Sequence, residues 1–281
     1  MNPGAADQRV EVIAGGRRFE IEVAWVGPAA PEWPPIVFLH EGLGSVSMWR
    51  DFPSRLCSTL GRRGLVFSRP GYGRSTPRRA DEHWGPDFMQ FQATEVLPAL
   101  LAAIGIDGRY TLFGHSDGGS IALIHAALCP DRVGAAIVMA PHILVEDISV
   151  ASIAAARQAY GQTDLRQRLQ RHHADVDSAF LGWADAWLAP GFRHWSIESL
   201  LVRIACPVLA IQGLGDEYGT LAQIEGIAAR VPDTRLLALP DCGHSPHRDR
   251  PREVIDAAQD WLRAISGRRP SGKTGHGSCS P

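Results

Sequence analysis

The chain has 281 residues, 45% of them hydrophobic, and a net charge of −2 with acidic and basic residues interspersed. At that length one large α/β domain or two small ones fit, and folding buries roughly three quarters of the surface. The near-neutral, unclustered charge excludes a nucleic-acid footprint or a membrane-surface patch and points to a small-molecule partner, with a homo-oligomer left open.

The first residues, Met1 to Asp7, carry neither a basic n-region nor an apolar h-region, and no apolar run reaches the length of a membrane span. The expectation is a cytoplasmic protein. Cys57, Cys129, Cys206, Cys242 and Cys279 form an odd, scattered set without CxxC spacing. That argues against a disulfide framework and a zinc site, and the five are expected to be reduced thiols.

In chain order, Arg9 to Ala14 and Arg17 to Val26 alternate as two strands, with Gly15-Gly16 between them as a two-residue hairpin signal. Ile36 to Leu39 is a continuous apolar run, as in a strand buried on both faces, and ends in His40-Glu41-Gly42-Leu43-Gly44. A helix is predicted from about Ser47 to Leu60, then a strand at Leu65 to Ser68 and a glycine-rich turn, Arg69-Pro70-Gly71-Tyr72-Gly73. Residues 87–104 have helical spacing, with Pro98 kinking or starting a segment. Tyr110 to His115 is the next strand, an apolar helical run follows to Leu128, and Val133 to Ala140 is a strand again.

Such alternation predicts a largely parallel sheet with helices on both faces. It stops near Pro141. Residues 142–202 are helix-prone, lack a strand run and are rich in aromatics, so a helical cap is expected over 141–202. Strands at Pro207 to Gly213 and Arg235 to Leu239 then alternate with helices at about Thr220 to Arg230 and Arg252 to Ile265. The expected division is an arm at 1–8, a core of 9–140 with 203–266, and a disordered tail at 267–281 that has almost no apolar content.

The stretch Gly114-His115-Ser116-Asp117-Gly118 is a G-x-S-x-G match. Alone it is a weak signal in a chain whose glycine content is about a tenth. Its setting between a strand and a helix makes it a nucleophile elbow, in which flanking glycines permit the sharp turn that presents a serine. The bland alternative is a serine capping a helix. A serine hydroxyl needs a base, and the base an orienting group. Asp216 and His244 both lie on loops after downstream strands, where catalytic groups collect in parallel sheets. Glu146, Asp147, Glu217 and Asp241 rival Asp216 as the acid, and His247 rivals His244.

With Gly114-His115-Ser116-Asp117-Gly118-Gly119, Gly213-Leu214-Gly215-Asp216 and Gly243-His244-Ser245-Pro246-His247 in register, and His40-Glu41-Gly42 after the first buried strand, the chain resembles the α/β-hydrolase superfamily over residues 9–266. The likeness is to its capped serine hydrolases, in the esterase, biphenyl hydrolase-like and C–C hydrolase branch. The resemblance implies an eight-stranded, mostly parallel sheet with a helical cap after the sixth strand. It also implies a cofactor-independent serine hydrolase acting on an ester, thioester or lactone, with Ser116 as nucleophile, His244 as base and then acid, and Asp216 holding the imidazole.

Oxyanion donors are expected from the amide of Asp117 and from Gly42, with Leu43 second. Glu41 departs from the family's usual His-Gly. Asp117 either meets a cationic substrate group or accepts hydrogen bonds from the loop at Gly42. Glu41, His115, Phe180, Trp183, Trp187 and Trp195 are the expected pocket residues, although packing accounts for some of the aromatics. No metal is expected; His172-His173 near Asp175 and Asp177 lacks ligand geometry. The alternatives are a C–C hydrolase of a β-diketone-like ring-cleavage product and a non-catalytic receptor of the same fold. Epoxide hydrolase and dehalogenase readings are disfavoured by serine, not aspartate, at position 116.

Overall fold

The computed structural model describes residues 8–267 apart from Glu32 and Ala80, so the expected arm and tail lie almost wholly outside the described residues. Eight strands form one sheet in the order β1-β2-β4-β3-β5-β6-β7-β8. The hairpin β1 (Gln8–Ala14) and β2 (Arg17–Val26) is antiparallel, β2 joins β4 antiparallel, and all other pairings are parallel. Gly15 and Gly16 between β1 and β2 have φ of 55° and 71°, the two positive values that a tight primed turn requires.

The strands β3 (Ile36–Leu39), β4 (Gly64–Phe67), β5 (Tyr110–His115), β6 (Val133–Met139) and β7 (Val208–Gly213) are buried on both faces. Their alternate residues feed two cores: Val37, Leu39, Leu112, Val138 and Ala210 on one side, Ile36, Phe38, Phe113, Ile137 and Ile211 on the other. This two-sided burial is why they read as continuous apolar runs rather than alternating ones. The last strand, β8 (Thr234–Leu239), lies at the sheet edge and is more exposed.

A short turn at Ser47–Trp49 is separated from α1 (Phe52–Leu60) by Arg50 at φ 54°, so the single helix expected there is broken. Residues 88–103 run as α2 (Phe88–Phe91), a wider turn over Gln92–Val96, and α3 (Leu97–Ala103). Pro98 explains the wide turn: it has no N–H to give the preceding turn, so the ladder shifts before it. After β5, α4 (Asp117–Leu128) is buried from Asp117 through Ala127 and forms the central helix against β5 and β6.

Between β6 and β7 the chain is helical: α5 (Asp147–Gln162), α6 (Leu165–Gln170), α7 (Val176–Leu188), a turn at Pro190–His194 and α8 (Glu198–Leu201). The remaining helices are α9 (Ala222–Ala228), α10 (Pro246–Asp249) and α11 (Pro251–Ser266). α10 is a short helix that the sequence reading does not contain. No described helix is long and apolar enough to cross a membrane. Cys57 and Cys242 are free and buried, Cys206 is buried, and Cys129 is disulfide-bonded, which corrects the expectation of five reduced thiols; Cys279 lies outside the described residues. An odd count forbids complete pairing, not a single pair.

Candidate active site

The parallel register levels the carboxyl ends of the strands, with Leu39 beside Gly114, His115 beside Met139, and Gly213 beside Leu239. The chain moves outward from β3 to β4 and then back across to β5, so the loops after β3 and β5 diverge and leave a crevice. Ser116 stands there, 6% exposed, with φ 53° and ψ −122°. That is a strained conformation for a residue with a side chain, held by the Ser116 N–H to Met139 carbonyl bond of 2.9 Å.

The flanking glycines are required by space. A Cβ at Gly114 would lie 2.3 Å from the Gly118 carbonyl oxygen, and one at Gly118 would lie 2.1 Å from that of Leu39. The turn can therefore close only with glycine at both sites.

Ser116 Oγ is 2.9 Å from His244 Nε2, and His244 Nδ1 is 2.8 and 3.0 Å from the two carboxylate oxygens of Asp216. Asp216 also accepts hydrogen bonds from Gln212 Nε2 at 2.6 Å and the Tyr218 amide at 2.8 Å. Burial works against its charge, but the His244 hydrogen bond, the charge of that ring and the Tyr218 amide prevail and hold the carboxyl below its usual range. Of the rival acids, Glu146 binds Thr220 and Gln223 instead, and Glu217 accepts from the His244 amide at 3.2 Å. His247 is buried against Trp49 and Phe52.

The loop after β3 is clamped from below. His40 is fully buried; its Nε2 accepts the Arg69 amide at 3.0 Å, so Nδ1 carries the proton and donates to the Glu41 carbonyl at 2.7 Å. The Arg69 Nη2 donates to the same carbonyl at 2.9 Å. From the helical insertion, His173 Nε2 donates to the Leu43 carbonyl and Nδ1 accepts the Gly73 amide, both at 3.0 Å. Burial keeps that imidazole neutral, with its pKa lowered to about 4. His172 bonds Ser47, Asp175 caps α7 and Asp177 pairs with Arg166, so this cluster is structural.

The amides of Gly42, Leu43 and Asp117 make no hydrogen bond among the described residues, and all three residues border the Ser116 cavity. Gly42 is needed because Trp183 Nε1 would lie 2.1 Å from any Cβ there.

The cavity measures about 190 Å³. Of the residues the sequence suggests for the pocket, Glu41, His115, Trp183 and Trp187 line this cavity, and Phe180 and Trp195 lie outside its lining. Phe180 is covered by Tyr160 of α5, the rings stacked at 3.8 Å, and Trp195 stacks on Phe192 at 5.3 Å. Helical periodicity marks an apolar face without saying which neighbour covers it. His115 Nε2 donates to the His244 carbonyl at 2.7 Å, while Glu41 lies 3.5 Å from its Nδ1. Burial opposes ionisation of Glu41, but His115, His247 and Arg248 draw its pKa well below the usual range.

His142, Tyr218, Met48, Ile153, Leu169 and Ser245 also line the cavity and were not singled out in the sequence. His142 had a signal: it follows β6 at the same end of the sheet as Asp216 and His244. Its carbonyl accepts the Ser120 hydroxyl at 2.6 Å, and its ring packs 4.9 Å from Trp187.

Asp117 Oδ1 accepts the Trp187 indole N–H at 3.2 Å, joining the elbow to the insertion, and its Oδ2 has no hydrogen-bond partner among the described residues. Burial dominates and lifts its pKa to about 6, against the pull of Arg69. An acid whose folded pKa is raised costs stability only when ionised, so the cost appears between about pH 4 and 6 and is constant above. Asp117→Asn keeps the Trp187 bond and should therefore gain stability over wild type as pH rises through that window, by at most roughly 3 kcal/mol. Thermal melts at pH 4 and pH 8 check this. An equal difference at both pH values contradicts it.

This fold and arrangement define a hydrolase class: a family model described as the alpha/beta hydrolase family matches residues 36–257, and the chain belongs to that family. Among curated relatives, it is 24% identical over 265 residues to a 2-hydroxy-6-oxo-6-phenylhexa-2,4-dienoate hydrolase of Comamonas testosteroni, covering 83% of this chain and 89% of that one. Among solved structures it is similar to a thermophilic esterase from Thermogutta terrifontis, with TM-score 0.72, 21% identity and coverage of 92% and 99%. It is also similar to the enol-lactonase from Burkholderia xenovorans LB400, with TM-score 0.71, 20% identity and coverage of 90% and 99%. At these identities the structural likeness speaks to the fold.

Proposed function

We propose that the chain is a serine hydrolase that cleaves a small carboxylic ester, thioester or lactone through an acyl-enzyme. The observation that carries this is the unbroken relay Ser116 Oγ to His244 Nε2 to Asp216, at 2.9 and 2.8 Å, with the serine held in a strained elbow. In this reading Ser116 Oγ attacks the carbonyl carbon as its proton passes to His244 Nε2. The tetrahedral oxyanion is met by the amide of Asp117 and that of Gly42 or Leu43. His244 then gives its proton to the leaving alcohol or thiol. In the second half it takes a proton from water as the water attacks the acyl carbon, then gives that proton to Ser116 Oγ as the Oγ–acyl bond breaks and the acid leaves. Asp216 remains ionised and keeps the imidazole proton on Nδ1.

Residues 141–202 act in this reading as the cap, with Trp183 over Gly42 and Trp187 on Asp117. The lining supports an ester over a carboxylate-bearing ring-fission substrate. Glu41, Asp117 and Glu217 border the cavity, and among the described residues no lysine or arginine does. A dienoate, which the Comamonas relative's name specifies, would bring its own carboxylate into that acidic field, where it is disfavoured. An ammonium group would be attracted, and Trp183 and Trp187 offer it ring faces.

A panel of p-nitrophenyl esters tests the reading. Matched neutral, amino-bearing and carboxylate-bearing acyl groups should rank amino-bearing above neutral above carboxylate-bearing in kcat/KM, with about tenfold or more between the extremes. The reverse order, or turnover only of a β-diketone ring-fission product, overturns it.

A further inference from the structure

A trans peptide is planar, and its C=O and N–H point in opposite directions. The peptide joining Glu41 to Gly42 is held by its oxygen. Three donors meet the Glu41 carbonyl: His40 Nδ1 at 2.7 Å, Arg69 Nη2 at 2.9 Å and the Gly44 amide at 3.0 Å. The next peptide, which carries the Leu43 amide, has no such clamp, since no hydrogen bond reaches the Gly42 carbonyl among the described residues. His40 and Arg69 are 0% and 1% exposed and do not border the Ser116 cavity, whereas Gly42 does. The clamped oxygen thus faces the interior, and the Gly42 N–H on the other side of the same plane is left for the cavity.

Arg69 is the charged member of the clamp. A guanidinium stays ionised, and among the described residues no carboxylate forms an ion pair with it. Glu41 lies against His115 and Arg248 instead, and Asp117 accepts from Trp187. The Tyr72 ring, 4.7 Å from Arg69 Cζ, covers one face of the guanidinium without neutralising it. His40 stays a neutral donor, because burial and the charge of Arg69 hold its pKa well below normal. A cation without a contacting anion therefore stands behind the one peptide whose N–H is turned to the site. Its bond to the carbonyl polarises the whole amide and strengthens the N–H as a donor. The pull of Arg69 on the Asp117 carboxyl shows that the same charge reaches the residue supplying the other oxyanion amide.

We propose that Arg69 is a positioning residue for catalysis, aiming and polarising the Gly42 N–H through the Glu41 carbonyl so that Gly42, rather than Leu43, supplies the second oxyanion donor. The inference rests on the serine-hydrolase reading. Arg69 touches no substrate and acts through the peptide it holds. Its charge matters most when negative charge develops on the substrate oxygen, so its removal weakens the transition state more than the bound substrate.

Phenyl trifluoromethyl ketone tests the proposal with the full chain. Ser116 Oγ adds to its carbonyl carbon, His244 Nε2 takes the hydroxyl proton, and the C=O electron pair moves onto oxygen as a hemiketal oxyanion. Arg69→Met should weaken inhibition by this ketone about a hundredfold and lower kcat on p-nitrophenyl acetate by a similar factor, with KM changed by less than about threefold. Arg69→Lys, which returns the charge, should recover both to within about tenfold of wild type. A purely structural role would not be rescued by charge or act on the oxyanion analogue more than on KM. If Arg69→Met fails to fold by circular dichroism, Arg69→Gln, which keeps a donor but no charge, decides, with an expected loss of about tenfold or more. Inhibition unchanged in the neutral variant, or a loss carried wholly by KM, overturns this inference and leaves the serine-hydrolase reading standing. A wild type that forms no ketone adduct by fluorine NMR overturns both.

Discussion

Ser116→Ala should lower kcat on any ester the protein turns over by about 10⁶-fold while leaving the fold intact. The structural cost is small because, among the described residues, the only hydrogen-bond partner of the Ser116 side chain is His244 Nε2. The backbone requirement is also unchanged, since φ is 53° and alanine meets the same penalty as serine. The loss is thus chemical: without Oγ no acyl-enzyme forms, and what remains is the polarisation offered by the loop amides. Initial rates together with thermal melting measure the two separately. A variant retaining more than about a hundredth of wild-type kcat would mean that another group performs the attack.

Asp216→Asn should cost about 10⁴-fold in kcat, with KM little changed. Asp216 accepts three side-chain or backbone donors, from His244, Gln212 and Tyr218. An asparagine can keep the Tyr218 bond, but its amide then faces the Gln212 amide, and Gln212 can turn its unpartnered Oε1 toward it only by giving up the Gly219 carbonyl. The fold should tolerate that exchange. His244 should not: it loses the negative charge that supports its protonated form and the acceptor that keeps its proton on Nδ1. Because the Asp216 pKa is held below normal, the wild-type carboxylate stays ionised across the neutral range, and its contribution to stability disappears only as pH falls into the acid range. A loss of tenfold or less would assign the orienting role to Glu217, which already holds the His244 amide.

The sheet was legible because its strands are buried on both faces and stop at turns with a steric reason. Ile36–Leu39 and Val208–Gly213 were read within a residue of their ends. The helix expected from Ser47 to Leu60 was misread because its break lies in one residue, Arg50, whose positive φ leaves no mark in composition. Ser116, His244 and Asp216 could be located because each follows a strand at the same end of the sheet, a property of chain order. His142 obeys the same rule but carries no glycine signature to mark it.

What lay beyond reach was which side chain touches which. Phe180 and Trp187 share a helix and an apolar character, yet one is covered by Tyr160 and the other meets Asp117. The unpartnered atoms of Arg69, Tyr72 and Gln92 depend on tertiary packing, and nothing in their local sequence distinguishes them from ordinary turn and helix residues.

Intact-mass spectrometry after exposure to a fluorophosphonate probe tests the central claim most directly. The account predicts one phosphonyl adduct per chain, mapped by peptide digestion to Ser116, formed slowly in Asp216→Asn and absent from Ser116→Ala. Folded wild-type protein that takes no adduct, or an adduct on another residue that persists in Ser116→Ala, would contradict it.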